Sequence, residues 1–223
     1  GGPGDGGAWR SLLPADRAPW ALRDAGVPFR WRHVPELDAV VVELRQNVDA
    51  QGRPIGAFLA EATQAIRTHA PRHVVLDMRA NGGGNLNTTR DFMQALPTLV
   101  PGQVFALTSP WTISAAISSV EYLKQAGGAR VRIDGEEMGH RLEFWNEGRP
   151  IRLPATGAMV LPATERHDYR DGCRTFTDCH GSVVRHPIAV ASLVPDVQAA
   201  WTIRTYLAGR DPAMEAVAAE LRR

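Results

Sequence analysis

The sequence has 223 residues, of which 44% are hydrophobic and 22% are charged, so it is long enough to form one large hydrophobic core or two small ones. Its 25 basic and 24 acidic residues give a formal net charge of +1, which argues against a nucleic-acid-binding protein because no excess positive field is available. The longest apolar runs fall far short of the roughly 18 residues that span a bilayer. We therefore expect no nucleic-acid partner and no membrane span.

The chain begins with a glycine-rich segment, residues 1–7, that has almost no side chains with which to pack. We expect residues 1–36 to form a flexible or fragmentary N-terminal flank and an entry segment to the domain. Residues 37–223 are expected to form one domain, since no change in composition divides them. A removed signal peptide or a missing upstream domain stays possible.

Short β-branched runs then alternate with helical patterns. Between residues 55 and 69, for example, apolar side chains recur at intervals of three and four, which is the spacing of one helical face. The sequence predicts strands over 37–44, 73–79, 103–108 and 129–134, separated by helices over 55–69, 88–96 and 112–126. This alternation predicts an α/β fold in which helices cover a largely parallel sheet.

The pattern is weaker in the last third of the chain. It predicts, in order, strands over 140–145 and 158–161, a helix from 195 to 209, and a last helix from 211 to 221. No repeat of solenoid length is present, so a single α/β domain is the simplest interpretation.

The two cysteines, Cys173 and Cys179, lie in a stretch rich in turn-forming residues. A local disulfide would fix a loop that has little apolar content and would indicate an oxidising compartment. Zinc binding with His167, His180 and His186 is a weaker alternative, because paired zinc ligands are usually separated by about two to four residues. We expect the disulfide first and free thiols second.

Two segments, each directly after a predicted strand, carry possible chemistry. Gly82, Gly83 and Gly84 form a turn at which backbone N–H groups could converge on an oxyanion without side-chain obstruction. Ser114 lies at the start of a predicted helix, where the helix dipole and free N–H groups favour a negative charge. Neither feature is specific alone, since glycine turns are often merely flexible and serine often merely caps a helix. No Lys-Ser or Lys-Thr pair follows the glycines, which argues against a phosphate loop.

Together these segments resemble a known family. Residues 75–85, VLDMRANGGGN, resemble the strand and Asp-x-Arg-x-Asn-x-Gly-Gly signature of the tail-specific, or C-terminal processing, serine peptidases, whose relatives include the tricorn core protease and the retinoid-binding modules. Residues 104–116, 128–136 and 194–196 are similar, in the same order, to that family's nucleophile segment, to its next strand with a Gly-Glu turn, and to its Val-x-Pro-Asp ending. The resemblance covers about residues 37 to 210. It implies a Clp-protease/crotonase-like spiral of strand-strand-helix units.

The resemblance also implies roles for individual residues. Ser114 falls on the nucleophile, and the oxyanion donors fall on Ala115 and on the glycine turn at Gly83 and Gly84. The family's lysine base has no counterpart, because its position falls at residues 138–140, where the sequence is Met-Gly-His.

We expect His140 to be the substitute base, because an imidazole titrates near neutral pH. Lys124 is the only lysine, and it lies nearly three helical turns beyond Ser114, too far to activate it. His33 precedes the strand on which tricorn-like relatives carry a catalytic histidine, so it lies too early. The sequence does not place His167, His180 or His186 relative to the site.

These residues imply a serine-dependent hydrolase, most simply a peptidase that acts on a peptide or protein through an acyl-enzyme on Ser114. No metal or cofactor is required. The alternative is a non-catalytic peptide- or ligand-binding module of the same fold, because the base is missing from its usual position. A third possibility, a crotonase-like acyl-CoA enzyme, would leave Ser114 without a role. The family's frequent export favours a periplasmic or extracellular location, and the oligomeric state is left open.

We expect Trp111 and Trp145 to be core residues rather than walls of a substrate cleft.

Overall fold

The computed structural model describes residues 13–14, 16–24 and 26–222; the glycine-rich opening, residues 1–7, lies outside them. The strands are β1 (Phe29–Val34), β2 (Ala39–Leu44), β3 (His73–Asp77), β4 (Val104–Thr108), β5 (Val131–Gly135), β6 (Glu143–Asn146), β7 (Ile151–Arg152), β8 (Met159–Val160), β9 (Glu165–Asp168) and β10 (Val197–Gln198). The helices are α1 (Ile55–His69), α2 (Arg90–Ala95), α3 (Ala115–Gly127), α4 (Gly181–Arg185), α5 (Ile203–Leu207) and α6 (Pro212–Leu221).

Six strands form the main sheet in the order β1-β2-β3-β4-β5-β10. Strand β1 pairs antiparallel with β2, and every other neighbouring pair is parallel. Helices α1, α2 and α3 connect β2 to β3, β3 to β4 and β4 to β5, so each of these three parallel pairs is joined by a crossover helix. The predicted α/β class with a parallel-rich sheet is confirmed.

The alternation of side chains along each strand builds two hydrophobic layers. On β2, Val40 and Val42 face the large core beneath α1, α2 and α3, whereas Ala39 and Val41 face a smaller core that α6 covers. Strands β2 and β4 are buried on both faces, which is why their sequences are continuous apolar runs rather than alternating ones.

Two antiparallel pairs, β6 with β9 and β7 with β8, form separate two-stranded sheets. A disulfide between Cys173 and Cys179 closes the loop after β9, with their Cα atoms 5.8 Å apart. Arg166 of β9 forms an isolated bridge with Cys179, which ties this loop to the β6–β9 pair.

The helix expected from 195 to 209 is wrong. The chain instead forms the short strand β10 and only then the five-residue helix α5. Asp196 explains the difference: its backbone N–H donates to Ile133 O at 2.6 Å and its Oδ2 accepts from Ile133 N at 2.8 Å, so β5 holds this segment in an extended form. The N-cap of the helix is Thr202, whose hydroxyl accepts from Thr205 N.

No helix within the described ranges is long and apolar enough to cross a membrane.

Candidate active site

The candidate site lies at the carboxyl ends of the parallel strands, where ligands bind in open α/β sheets. The glycine turn follows β3 and Ser114 follows β4, and these strands are neighbours in the sheet, with Asp77 paired with Leu107. The topology therefore brings together two segments that are about 30 residues apart in sequence.

Ser114 has an unusual backbone conformation. Its φ of 54° and ψ of −131° lie in a region that non-glycine residues rarely adopt, and it is the N-cap of the 13-residue helix α3. This conformation is why α3 begins at Ala115 rather than at residue 112 as expected. A strained serine between a buried strand and a helix N-terminus is also the geometry of a nucleophile elbow.

Gly83 packs directly against Ser114. A Cβ atom built on Gly83 would lie 2.7 Å from Ser114 Cβ, 2.9 Å from Ile113 O and 3.0 Å from Ala115 N. Gly83 also has a φ of +94°. Only glycine satisfies both the backbone angle and the close approach.

Three hydrogen bonds join the turn after β3 to the turn after β4. Ser109 Oγ donates to Arg79 O at 2.6 Å, and Thr112 Oγ1 donates to Met78 O at 2.9 Å. Ile113 N donates to Asn81 O at 3.2 Å. These bonds fix the position of Ser114 relative to the glycine turn.

Two buried asparagines complete this framework. Asn81 Nδ2 donates to Asn47 Oδ1 at 2.9 Å, and Asn47 Nδ2 donates in turn to Ala115 O at 2.9 Å and to Ser119 Oγ at 2.8 Å. Asn47 thus links the segment after β2 to the first turn of α3. Asn47 is not recognisable from the sequence, because one asparagine in a polar loop gives no signal of a partner 68 residues away.

The candidate oxyanion donors differ in availability. Gly83 N donates to Asn81 Oδ1 at 2.9 Å, so this N–H is already occupied. The N–H groups of Gly84 and Ala115 have no hydrogen-bond acceptor within the described part of the chain. Ala115 is the first residue of α3, where an N–H has no partner in the helix itself. The contribution of Gly83 is therefore its missing side chain rather than its N–H.

His140 lies at the same edge of the sheet as Ser114. The preceding residue, Gly139, contacts Pro110 O and Ile113, and its N–H donates to Thr112 O at 3.1 Å. The His140 ring packs on Phe144 with 4.6 Å between centroids, and its buried Nδ1 has no partner in the described part of the chain. Burial lowers the pKa of His140 below its ordinary value, so the ring is neutral at neutral pH.

The His140 ring begins a column of stacked rings. Phe144 stacks on His167 at 4.7 Å, and His167 stacks on His180 at 4.9 Å. Burial, with a further effect of the neighbouring histidines, lowers the pKa of His167 to about 4. Its Nδ1 lies 2.9 Å from Tyr169 Oη. His167 is therefore a neutral, structural ring that supports the wall behind His140.

The other basic candidates lie elsewhere. Lys124 Nζ donates to Val131 O at 2.6 Å, near the far end of α3 from Ser114. His33 pairs with Val40 at the amino end of β2, the opposite edge of the sheet, and its ring stacks on His69 at 4.2 Å. His186 ends α4, where its carbonyl accepts from Tyr122 Oη at 2.9 Å. Ser114 Oγ has no hydrogen-bond partner among the described residues, so no histidine lies within hydrogen-bond distance of it.

A cleft of about 640 Å³ adjoins the site. Its lining includes Gly82 of the glycine turn, Trp111 and Trp201. Trp111 is 74% exposed and Trp145 is 51% exposed, so the expectation that both are core residues is wrong. Trp111 faces solvent because the turn from Ser109 to Thr112 is fixed by its own hydrogen bonds and leaves the indole outside.

A buried ion-pair network forms one side of this cleft. Arg79 donates to Asp77 Oδ2 at 2.7 Å and to both carboxylate oxygens of Asp211, at 2.7 and 2.9 Å. Burial alone would raise the pKa of Asp77, but Arg79 holds it below its ordinary value. By formal charge, the two carboxylates and the one guanidinium of this network carry a net charge of −1.

In the described ranges, no group of three or more His, Cys, Asp and Glu side chains is arranged to hold a metal ion.

No protein-family profile and no curated protein sequence matches this chain. Among solved structures, a protein from Parabacteroides merdae that is assigned as a peptidase matches 88% of this chain with 15% identity and a TM-score of 0.56. A lipoprotein from Streptococcus agalactiae matches 87% of it with 13% identity and a TM-score of 0.53, and the tricorn protease matches 83% of it with 18% identity and a TM-score of 0.50. The matched part of this chain covers 65%, 69% and 18% of these structures, so the chain spans less than two thirds of the first. The chain therefore shares its fold with structures that include the tricorn protease, a relative of the family that its motifs resemble.

Proposed function

We propose that the protein is a serine-dependent hydrolase that cleaves a peptide bond in a peptide or protein substrate through an acyl-enzyme on Ser114. The observation that carries this proposal is the strained backbone of Ser114 at the start of α3, in contact with Gly83. Strain of this kind costs about 1–3 kcal/mol, and it persists where the position of the residue serves a function.

In the proposed reaction, Ser114 Oγ attacks the carbonyl carbon of the scissile bond and its proton passes to an imidazole. The N–H groups of Ala115 and Gly84 stabilise the oxyanion of the tetrahedral intermediate. The C–N bond then breaks, the imidazole gives its proton to the leaving amine, and water hydrolyses the resulting ester by the reverse sequence. The dipole of α3 favours the negative charge at its N-terminus.

We assign the role of base to His140. Its pKa is lowered by burial, so the neutral ring that accepts a proton predominates at neutral pH. The contacts of Gly139 with Pro110 and Ile113 bring this segment against the turn that carries Ser114. No hydrogen bond joins His140 to Ser114, and bonds of this type often tighten only when substrate is bound.

Three broader assignments belong to the same proposal. We infer a Clp-protease/crotonase-like spiral for the topology and a catalytic core over residues 37–223, to which the preceding segment adds edge strand β1. We also infer a periplasmic or extracellular location. The disulfide between Cys173 and Cys179 supports this location, because such bonds persist in oxidising compartments.

A non-catalytic peptide-binding module of the same fold is the second candidate. The observation that favours it is the absence of a hydrogen-bond partner for Ser114 Oγ among the described residues.

A fluorophosphonate probe separates the two candidates. A catalytic serine should capture the probe stoichiometrically, and both labelling and peptide hydrolysis should vanish in Ser114→Ala while the free energy of unfolding hardly changes. Ser118→Ala is the matched control, since Ser118 lies one turn further along α3 and its buried hydroxyl is 2.7 Å from Tyr169 Oη. Absence of labelling in the wild-type protein would favour the binding module.

A further inference from the structure

The cleft lined by Trp111 and Trp201 lies directly beside the proposed nucleophile. Gly82 lines the cleft, and the next residue, Gly83, contacts Ser114. Consecutive Cα atoms are about 3.8 Å apart, so a substrate whose scissile carbonyl is held at Ser114 can place a neighbouring side chain in this cleft. The cleft therefore has the position of a specificity pocket.

The charges that line the cleft are unequally compensated. Arg79 is neutralised by Asp77 and Asp211, and Glu43 accepts hydrogen bonds from Arg30 and Arg45 at 2.5 Å each. The Glu136 carboxylate, by contrast, has no hydrogen bond or ion pair in the described part of the chain. Its backbone is held by Thr108, whose carbonyl accepts from Glu136 N at 3.0 Å and whose hydroxyl donates to Glu136 O at 2.7 Å.

The remaining walls are apolar and aromatic. Trp111 is largely exposed, Trp201 is half-buried, and Leu22 and Pro110 add aliphatic surface. Indole rings attract cations as well as aliphatic chains, and a free carboxylate attracts a cation further. A long aliphatic chain that ends in a positive charge matches both features.

We propose that this cleft accepts a lysine or arginine side chain of the substrate, with its aliphatic part against Trp111 and its cationic end at Glu136. The inference rests on the proposed peptidase function, since it assigns a substrate class to that site. Arg79 does not oppose such a side chain, because Asp77 and Asp211 together outweigh its charge.

The test uses binding rather than turnover. In the Ser114→Ala protein, the dissociation constants of three blocked pentapeptides, acetyl-Ala-Ala-X-Ala-Ala-amide with X lysine, norleucine or glutamate, are measured by calorimetry. We expect the lysine peptide to bind about tenfold more tightly than the norleucine peptide and the glutamate peptide to bind most weakly. Equal affinity for lysine and norleucine would overturn the inference.

Variants then assign the preference to residues. Glu136→Gln keeps the side-chain shape and the backbone bonds to Thr108, and it should remove the preference for lysine over norleucine. Glu137→Gln, which removes the neighbouring exposed carboxylate, should keep that preference. Trp111→Ala should raise the dissociation constants of both the lysine and the norleucine peptide severalfold. A lysine preference that survives Glu136→Gln, or unchanged affinities in Trp111→Ala, would overturn the inference.

The outcome separates this inference from the proposed function. Selective binding of the lysine peptide by a protein that hydrolyses none of the peptides would support the cleft assignment and contradict the peptidase. Equal rates of hydrolysis of the lysine and norleucine peptides by the wild-type protein, together with equal affinities in Ser114→Ala, would support the peptidase and contradict the cleft assignment.

Discussion

Replacement of Gly83 by alanine tests how strongly the close approach of Gly83 to Ser114 constrains the site. The added Cβ would lie 2.7 Å from Ser114 Cβ, whereas carbon atoms in favourable contact are about 3.5–4.0 Å apart. It would also lie 2.9 Å from Ile113 O and 3.0 Å from Ala115 N, which are backbone atoms that no rotamer change can move. The residue must moreover keep a φ of +94°.

These two effects set the expected magnitude. An alanine at a strongly positive φ costs about 1–3 kcal/mol, and overpacking costs typically a further 1–3 kcal/mol. Together these effects should make Gly83→Ala lower the free energy of unfolding by about 2–6 kcal/mol, as measured by urea denaturation. Hydrolysis should be lost even where the protein is folded, because relief of the contact moves Ser114 and Ala115.

Gly82→Ala is the matched control for stability. A Cβ on Gly82 meets no atom within 4 Å, and its φ is outside the positive range. Its free energy of unfolding should lie within about 0.5 kcal/mol of wild type or slightly above it. Equal stability of Gly83→Ala and Gly82→Ala would refute the argument from the contact.

Three further predictions concern other groups. If His140 is the base, kcat/KM should rise with pH through an ionisation below 6.5, and His140→Gln should lower kcat/KM by about a hundredfold or more. The control His33→Gln, at the opposite edge of the sheet, should leave kcat/KM unchanged. A fully active His140→Gln would exclude His140 as the base. Burial raises the pKa of Glu121 well above its ordinary value of 4.5. As the pH rises past 4.5, this carboxyl group ionises in the unfolded chain but not in the folded protein, so the free energy of unfolding falls by up to about 1.4 kcal/mol per pH unit. Urea denaturation of Glu121→Gln between pH 5 and 7 should lack this decrease. Non-reducing mass spectrometry should find no free thiol at Cys173 and Cys179, and reduction should cost about 2 kcal/mol; two alkylatable thiols would contradict this.

Local sequence patterns were sufficient for the central elements of the fold. Helix α1 has the predicted bounds because its apolar residues recur at intervals of three and four. Strands β2 to β5 lie within about two residues of theirs, because each is short, rich in apolar residues and followed by glycine, proline or a polar turn. The helix expected after Pro195 failed for a non-local reason. Its residues have helical propensity, but hydrogen bonds between Asp196 and Ile133 hold the chain against the sheet edge.

The candidate site shows the same division between local and non-local information. Ser114 and the glycine turn were recognisable because each lies directly after a buried strand, and parallel neighbours place such positions at one edge of a sheet. Asn47 was not recognisable, since it acts through contacts with Asn81 and Ala115 that no spacing encodes.

The cleft could not be predicted for a related reason. It joins Leu22, Glu136 and Trp201, which are separated by more than 60 residues from one another. Glu136 belongs to the Gly-Glu turn that resembles the family's, but neither that turn nor the sequence around Leu22 and Trp201 indicates a cleft. They acquire a common role because the fold places them around a cleft that Gly82 also lines, and the next residue, Gly83, lies against Ser114. The nucleophile was therefore accessible from local patterns, whereas the residues that would select its substrate depended on the fold that assembles them.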